Sequence, residues 1–157
     1  MNTLHEATGL SEFMANDHRR CDGLCAEANR FASARRWSSA GAALRALDQA
    51  LAHHLAMEEQ VLFPVLEGSR SAPAAPTQSM RVEHEDMREL LAELSEALKS
   101  EDRDRYLRLS ETLMMLRQRH NLEEEGVLYP LAEQILGDST TEVLKAMQHV
   151  VVDAEEG

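Results

Sequence analysis

Two stretches of eleven residues, HLAMEEQVLFP at 54–64 and HNLEEEGVLYP at 120–130, lie 66 residues apart and repeat one pattern. Each runs His, three residues, Glu-Glu, two residues, then an aliphatic, an aromatic and a proline. The same offset carries His18 onto His84 and Met14 onto Met80. Each half of the chain therefore holds a lone histidine followed, 36 residues later, by His-x-x-x-Glu. The chain reads as an internal duplication.

Around these motifs, apolar residues recur at three- and four-residue steps, the period of one helix face. Four long helices are expected. The first runs from about Leu10 to Ala34, with Phe13/Met14, Asp17/His18, Cys21, Leu24/Cys25 and Ala28 recurring along one face. The second runs from about Ser39 to Glu67 with Leu44, Leu47, Leu51, His54, Glu58, Val61 or Leu62, and Val65 inward. The third spans about Gln78 to Lys99, turning Met80, His84, Met87, Leu91, Leu94 and Leu98 inward. The fourth spans about Arg103 to Leu136 and presents Leu109, Leu113, Leu116, His120, Glu124, Val127 and Leu131. The break at Arg35–Ser39 offers a serine N-cap, GSRSAPAAPT at 68–77 reads as a linker, and Ser100–Asp102 as a turn. Pro64 and Pro130 should kink or unwind the ends of their helices. Gly137 reads as a C-cap, and Asp138 or Ser139 as the N-cap of a short fifth helix to about Val151, before an acidic tail. Residues 1–9 read as an arm. Aromatics are only 4% of the chain, which fits amphipathic helices better than a sheet. The fold expected is all-α: one domain over 1–157, an up-down-up-down four-helix bundle over about 10–136 with a C-terminal helix over about 138–151.

Charge and hydropathy remove several classes of function. A net charge of −12 with no basic stripe argues against nucleic acid as a partner. No apolar run approaches the roughly 20 residues that span a bilayer, and MNTLHEATGL lacks the form of a secretory signal. Cys21 and Cys25 sit four apart on one helix, a spacing that rarely bridges, so a reducing, cytoplasmic setting is expected.

The duplication acquires meaning from the turns. In an antiparallel hairpin, residues equidistant from the turn share one height. The midpoint of His18 and His54 is Arg36, and that of His84 and His120 is Asp102, both within expected turns. The midpoint of His54 and His84 is Ser69, in the linker. Each histidine then stands roughly 25 Å from its turn, and all four converge on one layer. Glu58 and Glu124, one helical turn past His54 and His120, reach the same layer. Four buried imidazoles are costly unless something pairs them, and a metal does so; imidazole suits Fe, Zn, Cu or Ni. Six donors exceed the needs of one tetrahedral ion. They suit two octahedral ions, with His18 and His54 on one, His84 and His120 on the other, and Glu58 and Glu124 shared.

The residues NDHRRCD around His18, HHLAMEEQVLFP, VEHEDMREL around His84 and RHNLEEEGVLYP together resemble the hemerythrin-like, HHE cation-binding family. The resemblance covers about residues 10–136 and implies a four-helix bundle with a non-haem di-iron centre, oxo- or hydroxo-bridged, that binds dioxygen, nitric oxide or peroxide. It implies His18, His54, Glu58, His84, His120 and Glu124 as the metal ligands. Two departures set the chain beside a bacterial branch rather than the oxygen carriers. Arg88 stands where the carriers place a fifth histidine, and Glu124 follows its histidine by four residues where theirs is an Asp at five. His53, His149, Glu59, Glu85 or Glu125 remain candidates to complete coordination. Ferritin-like bundles need Glu-x-x-His, but Ala15, Leu51, Arg81 and Arg117 stand three residues before the four histidines.

Two classes of function follow. One is a binder of O2 or NO for sensing, storage or scavenging. The other is an enzyme turning over peroxide or NO, or a donor of iron for iron-sulfur cluster repair; whether the protein is an enzyme stays open. Cys21 and Cys25 share the face of His18, as small apolar residues or as redox tuners. Met14 and Met80 read as apolar lids, Tyr129 as packing in line with Phe63, and His53 as facing outward.

Overall fold

The computed structural model describes residues 9–69 and 76–152. The expected arm, most of the linker and the end of the acidic tail lie outside the described residues. Four long helices form: α1 (Leu10–Ser33), α2 (Trp37–Met57), α4 (Thr77–Lys99) and α5 (Arg103–Glu123). Helix α2 runs through a widened π turn, Glu58–Leu62, into the short α3 (Phe63–Glu67). In the same way α5 passes through Glu124–Leu128 into α6 (Tyr129–Leu136). A single 3-10 turn, Gly137–Ser139, leads into α7 (Thr140–Gln148). Helix α1 packs on α2 and α5, and α4 on α5 and α2, an all-α up-down-up-down bundle. Helix α7 folds back over the first π turn and α1. No helix among the described residues is long and apolar enough to cross a membrane.

Both hairpin turns are built alike. Arg36 N–H donates to Phe31 O and Arg35 N–H to Ala32 O; Asp102 N–H donates to Ala97 O and Glu101 N–H to Leu98 O. This is the Schellman arrangement, with Arg35 (φ 59°) and Glu101 (φ 52°) in the left-handed region that glycine usually fills. The closure corrects one expectation. It returns the chain to helix at Trp37, so no serine caps α2; Arg36 stands there without a side-chain cap. At the equivalent turn, Asp102 Oδ1 does cap α5, accepting from Arg105 N–H at 3.2 Å.

The π turns account for the other corrections. Pro64 and Pro130 have no N–H, and the proline ring would clash with the carbonyl four residues back. One residue more per turn accommodates them: Phe63 N–H donates to Glu58 O, and Tyr129 N–H to Glu124 O. The extra residue rotates everything downstream. Of the pair Val61 or Leu62 it is Leu62 that is buried, and Phe63 and Leu66 are buried where Val65 was expected. Leu128, Tyr129 and Ala132 replace Val127 and Leu131, and Val127 is 50% exposed. Leu98, Leu109 and Leu116 are only half-buried, while Ala97, Tyr106 and Ser110 take the inner places.

The apolar core is split in two. One cluster, including Cys21, Cys25, Leu47, Leu51, Leu94, Tyr106 and Leu113, lies toward the hairpin turns. The other, including Leu10, Met14, Phe63, Met80, Tyr129 and Met147, lies toward the opposite end, where α7 closes it. The polar layer of His and Glu side chains sits between them.

The left-handed residues generate a prediction. Relieving a Cβ from that region gains about 1–2 kcal/mol. The greater freedom of glycine in the unfolded chain returns about 0.5–1. Arg35→Gly and Glu101→Gly are each expected to stabilise the fold by up to about 1 kcal/mol, raising the thermal midpoint by about 2–4 °C. Thermal denaturation followed by circular dichroism measures this, and a fall in midpoint would contradict it.

Candidate metal centre

The π turns and the α-helical period bring six side chains into one layer. His18, His54, His84 and His120 are at most 2% exposed, and Glu58 and Glu124 are fully buried. The imidazoles pair by ring proximity: His18 with His54 at 4.6 Å, His84 with His120 at 5.1 Å. The carboxylates link across the pairs. Glu58 lies 3.5 Å from His54 Nε2 and 3.0 Å from His84 Nε2. Glu124 lies 3.0 Å from both His120 Nε2 and His18 Nε2. One donor atom from each of His18, His54, Glu58 and Glu124 falls within 4.8 Å of the others, and the same holds for Glu58, His84, His120 and Glu124. The four histidines lie in one layer, as the turn midpoints require, and Glu58 and Glu124 stand in both donor groups.

The outer nitrogens are all spoken for. His54 Nδ1 meets Asp17 Oδ2 at 2.8 Å and His120 Nδ1 meets Glu83 Oε1 at 2.6 Å. His84 Nδ1 meets Glu59 Oε2 and His18 Nδ1 meets Glu125 Oε2, both at 2.7 Å. A carboxylate that accepts from Nδ1–H fixes ring and tautomer, and aims the Nε2 lone pair inward. The four partners obey the duplication, since the 66-residue offset carries Asp17 onto Glu83 and Glu59 onto Glu125. The acid just before each lone histidine thus holds the histidine of the neighbouring helix. The second Glu of each motif holds the lone histidine of the other half.

Five atoms aimed at the centre, His54 Nε2, His84 Nε2, His120 Nε2, Glu58 Oε1 and Glu124 Oε2, have no well-directed hydrogen bond. Several stand only 3.0 Å from an opposing atom, yet their lone pairs and N–H directions miss one another. Buried polar atoms left so cost about 1–3 kcal/mol each. Convergent, underused and correctly polarised donors fit a metal.

Several candidates fall away. Glu59 and Glu125 serve the histidines from outside. Glu85 is 70% exposed and pairs with Arg88. His149 is exposed and bonded to Lys145 O; His53 is half-buried and outside both donor groups. Arg88 NH2 donates to Glu59 Oε1 at 2.7 Å, so it acts on His84 through Glu59. Cys21 and Cys25 are free, buried thiols in the apolar cluster. Burial pushes Cys21 up to about 11, and burial also raises Cys25, whose Sγ lies 3.8 Å from Ser110 Oγ.

Three features were missed from the sequence. The histidine-orienting acids Asp17 and Glu83 stand beside His18 and His84 and obey the offset, a signal that was present. Tyr129 reads from the sequence as packing in line with Phe63. Its hydroxyl instead reaches Glu58 Oε2 at 2.5 Å, Glu124 Oε1 at 2.8 Å and His18 Nε2 at 3.3 Å. Arg117, 2% exposed, reaches Asp22 Oδ1 at 2.5 Å and His18 O at 3.4 Å. A cavity of about 520 Å³, lined by His18, Asp22, Cys25 and Glu125 among others, opens from the surface to the edge of the layer.

The model of the hemerythrin HHE cation-binding domain matches residues 9–132. The chain belongs to this family. Comparisons with curated proteins and with solved structures return no match. As an HHE domain the protein binds cations, and the match covers all four long helices and both π turns.

Without a metal, the HHE layer holds protons. Burial alone would lower His54 and His84. The close carboxylate of Glu58, with the hydrogen bonds of Asp17 at His54 and Glu59 at His84, outweighs burial and lifts them to about 10 and about 9. His120 rises against burial through Glu124. The acids move the other way: burial opposes the shift, yet His84 and Arg88 hold Glu59 at about 2, and His54 chiefly holds Asp17 low. Raised histidines stabilise the metal-free fold fully below their ordinary value of 6.5, and that stability fades as pH climbs toward 9–10. Lowered acids contribute above their ordinary values near 4 and fail below them. Denaturant unfolding in chelator should therefore give maximal stability between about pH 5 and 6.5 and a steady decline to pH 10. A flat profile from pH 6 to 10 would contradict this reading.

Proposed function

We propose that the protein is a non-haem di-iron protein that reversibly binds O2 or NO for sensing, storage or scavenging. His18, His54, Glu58, His84, His120 and Glu124 hold the two irons. The observation that carries the reading is the set of inward, underused donor atoms whose outer nitrogens are already locked by carboxylates. Two irons held there would supply the electrons that binding a diatomic requires. The chain does the rest. Asp17, Glu59, Glu83 and Glu125 keep each imidazole in one tautomer. The two apolar clusters above and below, with Met14 and Met80 buried beside the layer, keep bulk water away. With only two carboxylates among six donors, the site carries little negative charge, which favours the ferrous state. Free thiols at Cys21 and Cys25 fit a reducing, cytoplasmic setting.

The test is anaerobic reconstitution with ferrous iron, metal counted per chain, followed by air or NO under an absorbance probe. Two irons with bands that reverse when the gas is removed support the binder. Irreversible oxidation with continuing loss of added peroxide or NO would make it a di-iron enzyme instead. His54→Ala and His120→Ala are expected to lose at least half of the metal, and full metal content in both would overturn the assignment. Asp17→Ala should retain the fold and weaken metal affinity by about 10–100-fold, the usual scale for removing a partner of a metal-bound histidine. Competition with a chromophoric chelator reads that change.

A further inference from the structure

Inside the layer, the duplication is broken by one atom. The rings of Tyr129 and Phe63 are both fully buried and occupy equivalent places. Tyr129 lies against His18 at 5.8 Å with 28° between planes, and Phe63 against His84 at 5.5 Å with 24°. Only Tyr129 carries an oxygen. That oxygen lies within 2.5 Å of Glu58 Oε2, 2.8 Å of Glu124 Oε1 and 3.3 Å of His18 Nε2. Glu58 and Glu124 belong to both donor groups, but the two oxygens the phenol meets are those turned toward His54 and His18, and His18 belongs only to the first group. The place that corresponds to it beside His84 is faced by a phenyl edge, which neither donates nor ligates.

Resting on the di-iron reading, we propose that Tyr129 makes the two metal positions inequivalent. Its phenol oxygen, tethered to the two carboxylates, fills the free space on the His18/His54 side. A small exogenous ligand, whether a diatomic or an anion such as azide, is then admitted only on the His84/His120 side, against Phe63. Tyr129 is in this sense a positioning residue: it selects where the ligand goes. A purely structural tyrosine would fill volume and leave the number of ligand positions unchanged. Because the two rings already sit alike, Phe63→Tyr needs no repacking of the ring to present a second hydroxyl.

The experiment titrates oxidised, iron-loaded protein with azide and counts both iron and azide per chain. The wild type should take up two irons and one azide. Tyr129→Phe should take up two irons and two azides, and Phe63→Tyr two irons and none. The double variant Tyr129→Phe/Phe63→Tyr should return to one. Wild type holding two irons and two azides, or Tyr129→Phe holding two irons and still one azide, would overturn the inference while leaving the di-iron reading intact. Failure of the wild type to hold two irons would remove both. Where Tyr129→Phe does not load, Phe63→Tyr decides: loss of azide uptake supports the inference, and retained uptake overturns it.

Discussion

Everything in this fold is arranged around the cost of a polar layer through the middle of an apolar bundle. Four imidazoles and two carboxylates, withdrawn from water, separate the two halves of the core. Buried charge of this kind persists only when paired with good geometry, and breaking one partner leaves the other exposed to the full desolvation penalty. The chain meets the condition from outside inward. Each imidazole is fixed by an acid nearer the surface, and those acids are themselves steadied: Arg20 pairs with Asp17, and Arg88 with Glu59. What remains is a set of inner atoms with no satisfactory partner among themselves. Protons can occupy them, as the raised basicity of His54 and His84 indicates, but protons are small and satisfy one direction at a time. A multivalent cation satisfies several at once.

Much of this could be read from the chain because the determining pattern is repetitive. Helix faces repeat every three or four residues, and the 66-residue offset turned weak single motifs into a register test. The turn midpoints fell on Arg36 and Asp102, which the structure places in matching turns. The layer of six donors followed from rise per residue and antiparallel packing alone. The orienting acids were equally visible in principle, since Asp17/Glu83 and Glu59/Glu125 obey the same offset. They escaped because a carboxylate one residue from a histidine on a helix points elsewhere from that histidine, and only the neighbouring helix reveals its use.

The failures cluster where the period changes. A period of 3.6 residues per turn carries Val65 and Val127 inward past the glutamates, whereas the π turns leave Val65 half-buried and Val127 exposed. The prolines announced a disturbance, but not its sense: a kink, an unwinding and a widened turn all accommodate a missing N–H. The widened turn has a consequence for chemistry. It begins at Glu58 and Glu124, so their carbonyls accept the long bonds from Phe63 and Tyr129, and the same rotation swings those two rings over His84 and His18. Tyr129 was therefore misjudged for a backbone reason. On a regular helix its hydroxyl would not have faced the carboxylates.

In a duplicated scaffold, what both halves share builds the common layer, and what differs is free to specialise. The differences here fall on the same two positions from two directions. Inside, Tyr129 opposes Phe63. Outside, Arg88 grips Glu59 behind His84, while the residue equivalent to Arg88 is Asp22, which turns to Arg117 instead. Glu125 behind His18 has no such guanidinium among the described residues, is 37% exposed and borders a cavity. A carboxylate that already shares its charge with arginine is a poorer acceptor for Nδ1–H, so Arg88 sets the acceptor behind His84 apart from the one behind His18. Arg88 occupies the place where oxygen carriers of this family have a fifth histidine. At that place Arg88 acts one residue away, through Glu59, on the His84 side of the layer.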